Sequence, residues 1–293
     1  MAASELSGVA SRAAVAIVGC ARQTCPRQAE RFLKALCLHE RHEIEAFLRR
    51  NASFHVYDIG DLDDFFWNYT TWYALRKQGR VRAIALMYTG MQVPTLLAFT
   101  DSDPVCAQRL LESLLPVLPR RFYAHLSPGM DKVLAREFIL DAHGEHYKMA
   151  LMHRNMIDAI DTSGVVPLST GDLADLLALY RLAYPENWFD PRMLETGQYY
   201  GIRGDEGLLA AAGVHVYSLR YRVAALGNIA THPAWRGQGL AKAVTARTCK
   251  ALLRTVEDIG LNVKSDNQAA ISCYKSLGFE VVGTYGEFMA EAS

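Results

Sequence analysis

Three sets of residues in this 293-residue chain have types and spacing suited to chemistry. The first is Asn228-Ile229-Ala230-Thr231-His232-Pro233-Ala234-Trp235-Arg236-Gly237-Gln238-Gly239-Leu240-Ala241. An apolar run ends at a proline, a glycine-rich turn with one arginine follows, and an amphipathic helical pattern then begins. A strand feeding such a loop is a device for holding phosphate. Glycines let the backbone approach closely, N–H groups point inward, and the positive end of the helix dipole faces the anion. The second set is Asn267, Ala270 and Tyr274, spaced i, i+3 and i+7 on one helix face. A phenol there can donate its proton to a departing group as general acid. The third set is scattered. His215, Glu287, Glu186 and Asp190 are titratable side chains from which a general base could come, and Asn228 could orient a water.

The glycine loop lacks the Lys-Ser/Thr end of a P-loop and the G-x-G-x-x-G of a dinucleotide fold. It matches Arg-x-x-Gly-x-Ala, a form of the Q/R-x-x-G-x-G/A signature that holds the pyrophosphate of coenzyme A. A second block, Leu261 to Phe279, looks like a strand followed by an N-x-x-A-x-x-x-Y-x-x-x-G-F helix. With both blocks in order, one helix's worth of chain apart, the sequence resembles the GCN5-related N-acetyltransferases (GNAT). Among them it is similar to the glycine-N-acyltransferase-like (FR47-like) branch, over about residues 165–290.

The resemblance implies an α/β (α+β) fold, a central, mostly antiparallel mixed sheet flanked by helices, in two tandem copies. It implies acetyl-CoA (coenzyme A) as co-substrate and transfer of acetyl to an amine by direct attack in a ternary complex. On that reading Arg236, Gly237, Gln238, Gly239, Leu240 and Ala241 hold the pyrophosphate. Ile229, Ala230 and Thr231 lie along the pantetheine arm, where a bulged fourth strand splays from the fifth. Asn267 touches the cofactor, and Tyr274 protonates the leaving sulfur. Trp188 and Phe189 stand in the aromatic stretch Tyr184 to Leu194, where relatives bind the acceptor. Plainer readings are a packed loop for Trp188 and Phe189, a helix cap for Asn267 beside a Ser265/Gln268 capping box, and a packing role for Tyr274. One departure matters. Many relatives carry Glu or His on the fourth strand, whereas Val223-Ala224-Ala225-Leu226-Gly227-Asn228 has nothing that titrates near neutrality. The base then comes from His215, Glu287, Glu186 or Asp190, or the amine arrives neutral through solvent; Asn228 could orient a water but takes a proton poorly. No metal is expected.

Composition narrows the partners. The chain is 51% hydrophobic and 21% charged, so it is globular. Its 31 basic and 31 acidic residues leave no net charge, which argues against nucleic acid or an anionic membrane. The expected partner is a small-molecule or peptide amine; a homodimer is compatible with this reading. Six cysteines without a C-x-x-C pair read as free thiols in a reducing, cytoplasmic setting. No apolar run reaches the length of a membrane span. The apolar stretch Ala13 to Cys20 ends like a lipoprotein cleavage site but is short and preceded only by Arg12.

The elements fall into an extension over 1–26, a degenerate GNAT-like domain over 27–150, a linker over 151–164 and a GNAT domain over 165–293. Helical spacing covers 27–50. Strands are expected at Ser53–Ile59, Thr70–Arg76, Val81–Tyr88, Pro94–Thr100 and Arg121–Leu126, with a helix from Asp101 to about Val117. Short strands follow at Phe138–Leu140 and Glu145–Met152. The second domain reads as a helix from Ser169 to Pro185, strands Tyr199–Arg203, Gly207–Ser218 and Arg222–Thr231, helix Gly239–Arg254 and strand Ile259–Val263. Helix Asp266–Leu277 and strands Val281–Gly283 and Glu287–Ala290 close it. Asp101-Ser102-Asp103-Pro104 stands where the first domain would need its phosphate loop, and two carboxylates there repel a pyrophosphate. An unrelated α/β domain is the alternative for 27–150. The rival functions are transfer of a larger acyl group to an amino acid and a non-catalytic acyl-CoA sensor.

Overall fold

Two strands of 14 residues each, β6 (Phe138–Leu151) and β12 (Phe279–Ala292), lie side by side at the centre of the fold. The computed structural model describes residues 35–293, so the expected extension over 1–26 lies outside the described residues. The other strands are β1 (Leu36–Leu38), β2 (Thr70–Lys77), β3 (Arg80–Tyr88), β4 (Thr95–Ala98) and β5 (Arg121–Leu126). In the second half they are β7 (Val166–Leu168), β8 (Tyr199–Gly204), β9 (Gly207–Ser218), β10 (Val223–Thr231) and β11 (Asp258–Lys264). Together they form one twelve-stranded sheet in the order β1-β2-β3-β4-β5-β12-β6-β11-β10-β9-β8-β7.

That order interlocks the halves. Each half runs through antiparallel strands to one parallel pair, β4 with β5 and β10 with β11. The next strand in sequence does not cover that pair's open edge. β5 is flanked by β12, and β11 is flanked by β6, so each half completes its sheet with the other's long strand. Short strands were expected at 138–140, 145–152, 281–283 and 287–290. The structure joins each couple into one strand, because β6 and β12 pair with each other along nearly their whole length. Alternation then divides the faces of β6. Tyr147, Met149 and Leu151 enter the second half's core, while Lys148 turns to Phe54 and Phe99 of the first half.

Eight helices cover the faces among the described residues: α1 (Arg41–Leu48), α2 (Val56–Gly60), α3 (Asp64–Trp67), α4 (Pro104–Leu114), α5 (Asp131–Leu134), α6 (Leu173–Ala183), α7 (Leu240–Leu252) and α8 (Gln268–Ser276). Two expectations are corrected here. The helical run over 27–50 contains strand β1 before α1, and Ser53–Ile59 is no strand but leads into α2. The reason is periodicity: Val56, Ile59 and Gly60 are buried at i, i+3 and i+4, a helical face that a period-two reading of Phe54 and Val56 missed. α2 belongs to the first half yet packs on the second half's strands. Val56 lies over Gly260, and Gly60 sits so close to Val216 that an added Cβ would come within 2.0 Å of its Cγ1. The core beneath joins Val56 and Ile59 to Val216, Val223 and Ala225. The expected cap at Ser169 is present: Ser169 and Asp172 form a reciprocal capping box before α6.

Candidate active site

β10 and β11 pair only from Val223–Asp258 to Leu226–Leu261. Beyond that, β10 follows β9 to the Thr231–Ala210 pair, and β11 follows β6 to the Lys264–His146 pair. The two strands therefore diverge. A bulge drives the divergence: the register on β10 shifts between Ala225 and Leu226 and again between Gly227 and Ala230. Asn228, at its centre, has φ +55°, the left-handed region that asparagine tolerates better than most residues. The side chain is fully occupied in holding that shape. Its Nδ2 donates to Tyr199 Oη (3.0 Å), and its Oδ1 accepts from Asn187 Nδ2 (3.3 Å) and meets His215 Nε2 (3.2 Å). Tyr180 Oη donates to its carbonyl at 3.0 Å. Asn228 is buried, so it shapes the strand rather than facing a ligand.

Past the bulge, Ile229 packs in the core, Ala230 is buried, and the Oγ1 of Thr231 is buried without a hydrogen-bond partner. Across the gap, the Oδ1 of Asn262 on β11 is likewise buried and unpartnered. Two orphaned acceptors beside diverging strands leave polar capacity for a third chain of atoms to satisfy. The strand then enters the glycine loop. Gly237 and Gly239 have φ +78° and +79°, and α7 starts at Leu240 and Ala241 with no side chain capping its first turn. Those uncapped N–H groups and the dipole behind them form an anion seat. Gly237, Gln238 and Gly239 are exposed, so the seat is open. Arg236 frames it: Nε donates to the Thr231 carbonyl (3.4 Å) and Nη2 to the Ala183 carbonyl (3.3 Å), tying the loop to β10 and to the end of α6.

Tyr274 lies on α8 with its ring 6.1 Å from that of Phe279 and only 9% of the residue exposed. Burial pushes its phenol pKa up, with further contributions from Cys273 and Tyr184, so it stays protonated. Tyr184, after α6, and Tyr57, on α2, couple electrostatically to the same hydroxyl. Asn267 is the N-cap of α8, its Oδ1 accepting from Ala270 N at 3.1 Å. The cap is thus Asn267 rather than the expected Ser265, although Gln268 does reach back to the Ser265 carbonyl.

The candidate bases are separated by their surroundings. His215 is held between the Asn228 carboxamide and the Trp188 backbone, and burial lowers its pKa. Trp188 stacks edge-on to that imidazole at 5.5 Å, whereas Phe189 packs between Tyr180 (5.2 Å) and Tyr199 (5.9 Å). Glu287 stands in a different company. Tyr123 Oη donates to one oxygen (2.7 Å) and Tyr285 Oη to the other (3.1 Å). His125 and His146 each approach at 3.6 Å. Burial would raise the carboxyl pKa, but the two imidazoles and two phenols outweigh it and keep Glu287 ionised. Its charge reaches Tyr184. Tyr57, Tyr123, His125 and His146 escaped the sequence reading, and Tyr184 entered it only as the start of the aromatic stretch. The first four belong to the first half, where no motif points to the second half's cleft.

The corresponding place in the first half is closed. Ser127 N donates to the Ala98 carbonyl (3.1 Å) and Ser127 Oγ accepts from Thr100 N (3.0 Å), so β4 and β5 stay joined where β10 and β11 part. At the start of α4, Asp103 Oδ1 accepts from Cys106 N (3.1 Å), and Arg82 pairs with the same carboxylate (2.7 Å). A carboxylate of the chain's own fills that helix terminus. Among the described residues no His, Cys, Asp and Glu side chains group as a metal site, and no helix is long and apolar enough to cross a membrane.

The comparisons agree with this geometry. No curated protein sequence matches the chain significantly. Among solved structures, a Drosophila protein superposes with a TM-score of 0.65 at 13% identity, covering 89% of this chain and 99% of that one. A tandem GNAT protein from the clavulanic acid biosynthesis pathway gives 0.54 at 16% identity, covering 89% and 99%. An acetyltransferase of the GNAT family from Colwellia psychrerythraea gives 0.53 at 13%, covering 88% and 99%. At these identities the structures establish the fold: an α/β sheet of twelve strands consistent with two tandem GNAT copies. In the sequence itself, residues 173–279 match the model of the acetyltransferase (GNAT) family. The span from α6 to the start of β12, with its diverging strands and uncapped glycine loop, is an acetyltransferase domain of the GNAT family.

Proposed function

We propose that the chain moves an acetyl group from acetyl-CoA to an amine, and that only its second half takes up the coenzyme. The observation that carries this reading is the gap that opens between β10 and β11 beyond Leu226 and Leu261, with unpartnered Thr231 Oγ1 and Asn262 Oδ1 on the two diverging strands and the uncapped start of α7 after β10. Backbone groups of Ile229 to Thr231 would hold the pantetheine amides, and N–H groups from Gly237 to Ala241 the pyrophosphate. Bound acetyl-CoA supplies the thioester. Tyr274, protonated and buried, gives its proton to the departing sulfur. Glu287, ionised beside two imidazoles, draws in the amine and takes up its proton. His215 and Asn228 keep the bulge in shape, and Trp188, 38% exposed, walls the acceptor side. In the first half the Asp103 cap and the Ser127 stitch leave a domain whose work is to complete the cleft and the sheet. The unpaired thiols of Cys37, Cys106, Cys249 and Cys273 suit a reducing compartment such as the cytoplasm.

The test is a thiol-release assay with acetyl-CoA against a panel of amines and amino acids, alongside calorimetric binding of coenzyme A. Amine-dependent release of coenzyme A is expected. Binding without turnover would leave an acyl-CoA sensor, and turnover only with longer acyl donors would make this a larger-acyl transferase.

A further inference from the structure

Tyr57 sits on a helix of the first half, yet its hydroxyl lies at the point where the second half's strands part. It donates to the carbonyl of Leu226 at 3.1 Å. Leu226 is the last residue of β10 paired with β11, opposite Leu261. The backbone N–H of Asn262, the next residue on β11, acts on the same phenol oxygen. The hydroxyl thus takes up the Leu226 carbonyl, one of the two groups that would close the next rung of the parallel ladder, and stands beside the other. We propose that Tyr57 is a positioning residue: a phenol wedge, supplied by the first half, that keeps β10 and β11 apart at the head of the cleft.

Two further observations fit a wedge. The helix that carries it is fixed on the second half's sheet at both ends, by Val56 over Gly260 and by Gly60 against Val216, so the phenol cannot drift from the cleft. The equivalent strands of the first half have no tyrosine between them, and there Ser127 joins the two continuations directly. A bulge alone offsets β10, but it leaves the Leu226 carbonyl in need of a donor, and in a continued parallel ladder the Asn262 N–H would supply it. Bonding between them would shut the cleft from its head.

Tyr57→Phe keeps the ring and removes the hydroxyl. Two measurements test the proposal. In a crystal structure of the ligand-free variant, the Leu226 oxygen and Asn262 nitrogen are expected to close to about 2.9 Å, an ordinary hydrogen bond. Strands that stay parted without the hydroxyl overturn the proposal. In solution, coenzyme A affinity and the KM for acetyl-CoA should weaken by roughly ten-fold, with kcat within about two-fold, because the cost is reopening the cleft rather than chemistry. A fall in kcat at unchanged KM, or unchanged affinity, also overturns it. The affinity arm rests on the acyl-transfer reading. If the wild-type protein binds no coenzyme A, that reading falls by itself, and the crystal structure still decides the wedge.

Discussion

Lys148 on β6 stands opposite Asn262 on β11 in antiparallel register. The strand that lines the candidate cleft is therefore backed by a strand from the other half of the chain. Neither half owns the site. The same exchange places Glu287, on the last strand, against Tyr123 and His125 of β5. Function and stability of the halves are then inseparable, and this leads to the first prediction.

A fragment of residues 156–293 should not fold alone. It lacks β6, so β11 loses its outer partner, and Met149 and Leu151 leave the core. Each lost core side chain costs about 2–5 kcal/mol, comparable with the whole stability of a small domain. Co-expression with residues 1–155 should recover a complex that elutes as one species. A monomeric, cooperatively unfolding 156–293 fragment would show that β6 is dispensable.

Gly239→Asp should abolish coenzyme A binding with modest loss of stability. Nothing lies within 4 Å of an added Cβ, so no clash arises. The φ of +79° costs a non-glycine residue about 1–2 kcal/mol, and the carboxylate would occupy the anion seat, as Asp103 does in the first half. Calorimetry should show at least a roughly hundred-fold loss in affinity, about 2.7 kcal/mol, with cooperative unfolding preserved. Affinity near that of wild type would mean that the loop is only a helix start.

His125 should make the fold sensitive to mild acid. It faces Glu287, His146, Lys148 and Asp58, and burial pushes its pKa down to about 4 from 6.5. A pKa depressed in the folded state means that the unfolded chain binds more protons between those values. Stability is full above pH 6.5 and is lost as pH falls towards 4. Glu287, also depressed, adds its loss only below the ordinary carboxylate range of about 4.5. Denaturant midpoints measured from pH 7 to 4 should therefore fall for the wild type and fall less for His125→Phe. Equal slopes would remove His125 from the acid response.

Around the motifs at Arg236–Ala241 and Asn267–Phe279, the second half's elements from α6 to α8 were expected within a few residues of their observed bounds. Those segments have local patterns: an alternating strand, a glycine turn, a helical face. The exchange of β6 and β12 was not legible. A period of two says that a strand exists and says nothing about which strand it pairs with. Glu287 was a candidate for its type alone. The two phenols and two imidazoles that hold its charge come from β5, β6 and β12 and share no spacing. Tyr57 was hidden further, inside a segment whose short helix read as a strand.

Glu287→Gln should lower kcat/KM for the amine by about a hundred-fold, within the usual range for losing a positioned base, and leave coenzyme A affinity within about two-fold. The carboxamide keeps the shape; its single oxygen can accept from one of Tyr123 and Tyr285, and its NH2 can donate to the other phenol once that hydroxyl rotates, so packing survives. A loss confined to coenzyme A binding would place Glu287 in the cofactor's seat instead.

Tyr274→Phe should lower turnover by about ten- to a thousand-fold while coenzyme A affinity barely changes, the pattern of a group that acts on the leaving sulfur only as the bond breaks. The ring and its packing on Phe279 are kept, and only the hydroxyl is lost. The phenol's raised pKa makes it a proton donor throughout the neutral range, so the wild-type rate should show no alkaline limb from this group below its ordinary value of 10. An acyl donor with a more acidic leaving thiol needs less protonation, and with it the difference between wild type and variant should shrink. Tyr184 acts electrostatically on the same hydroxyl and is a phenol that could substitute for it. The double variant Tyr274→Phe with Tyr184→Phe separates the two: if Tyr184 carries residual proton donation, the second substitution lowers turnover again. Unchanged turnover in the single variant, measured where chemistry limits the rate, would return Tyr274 to a packing role.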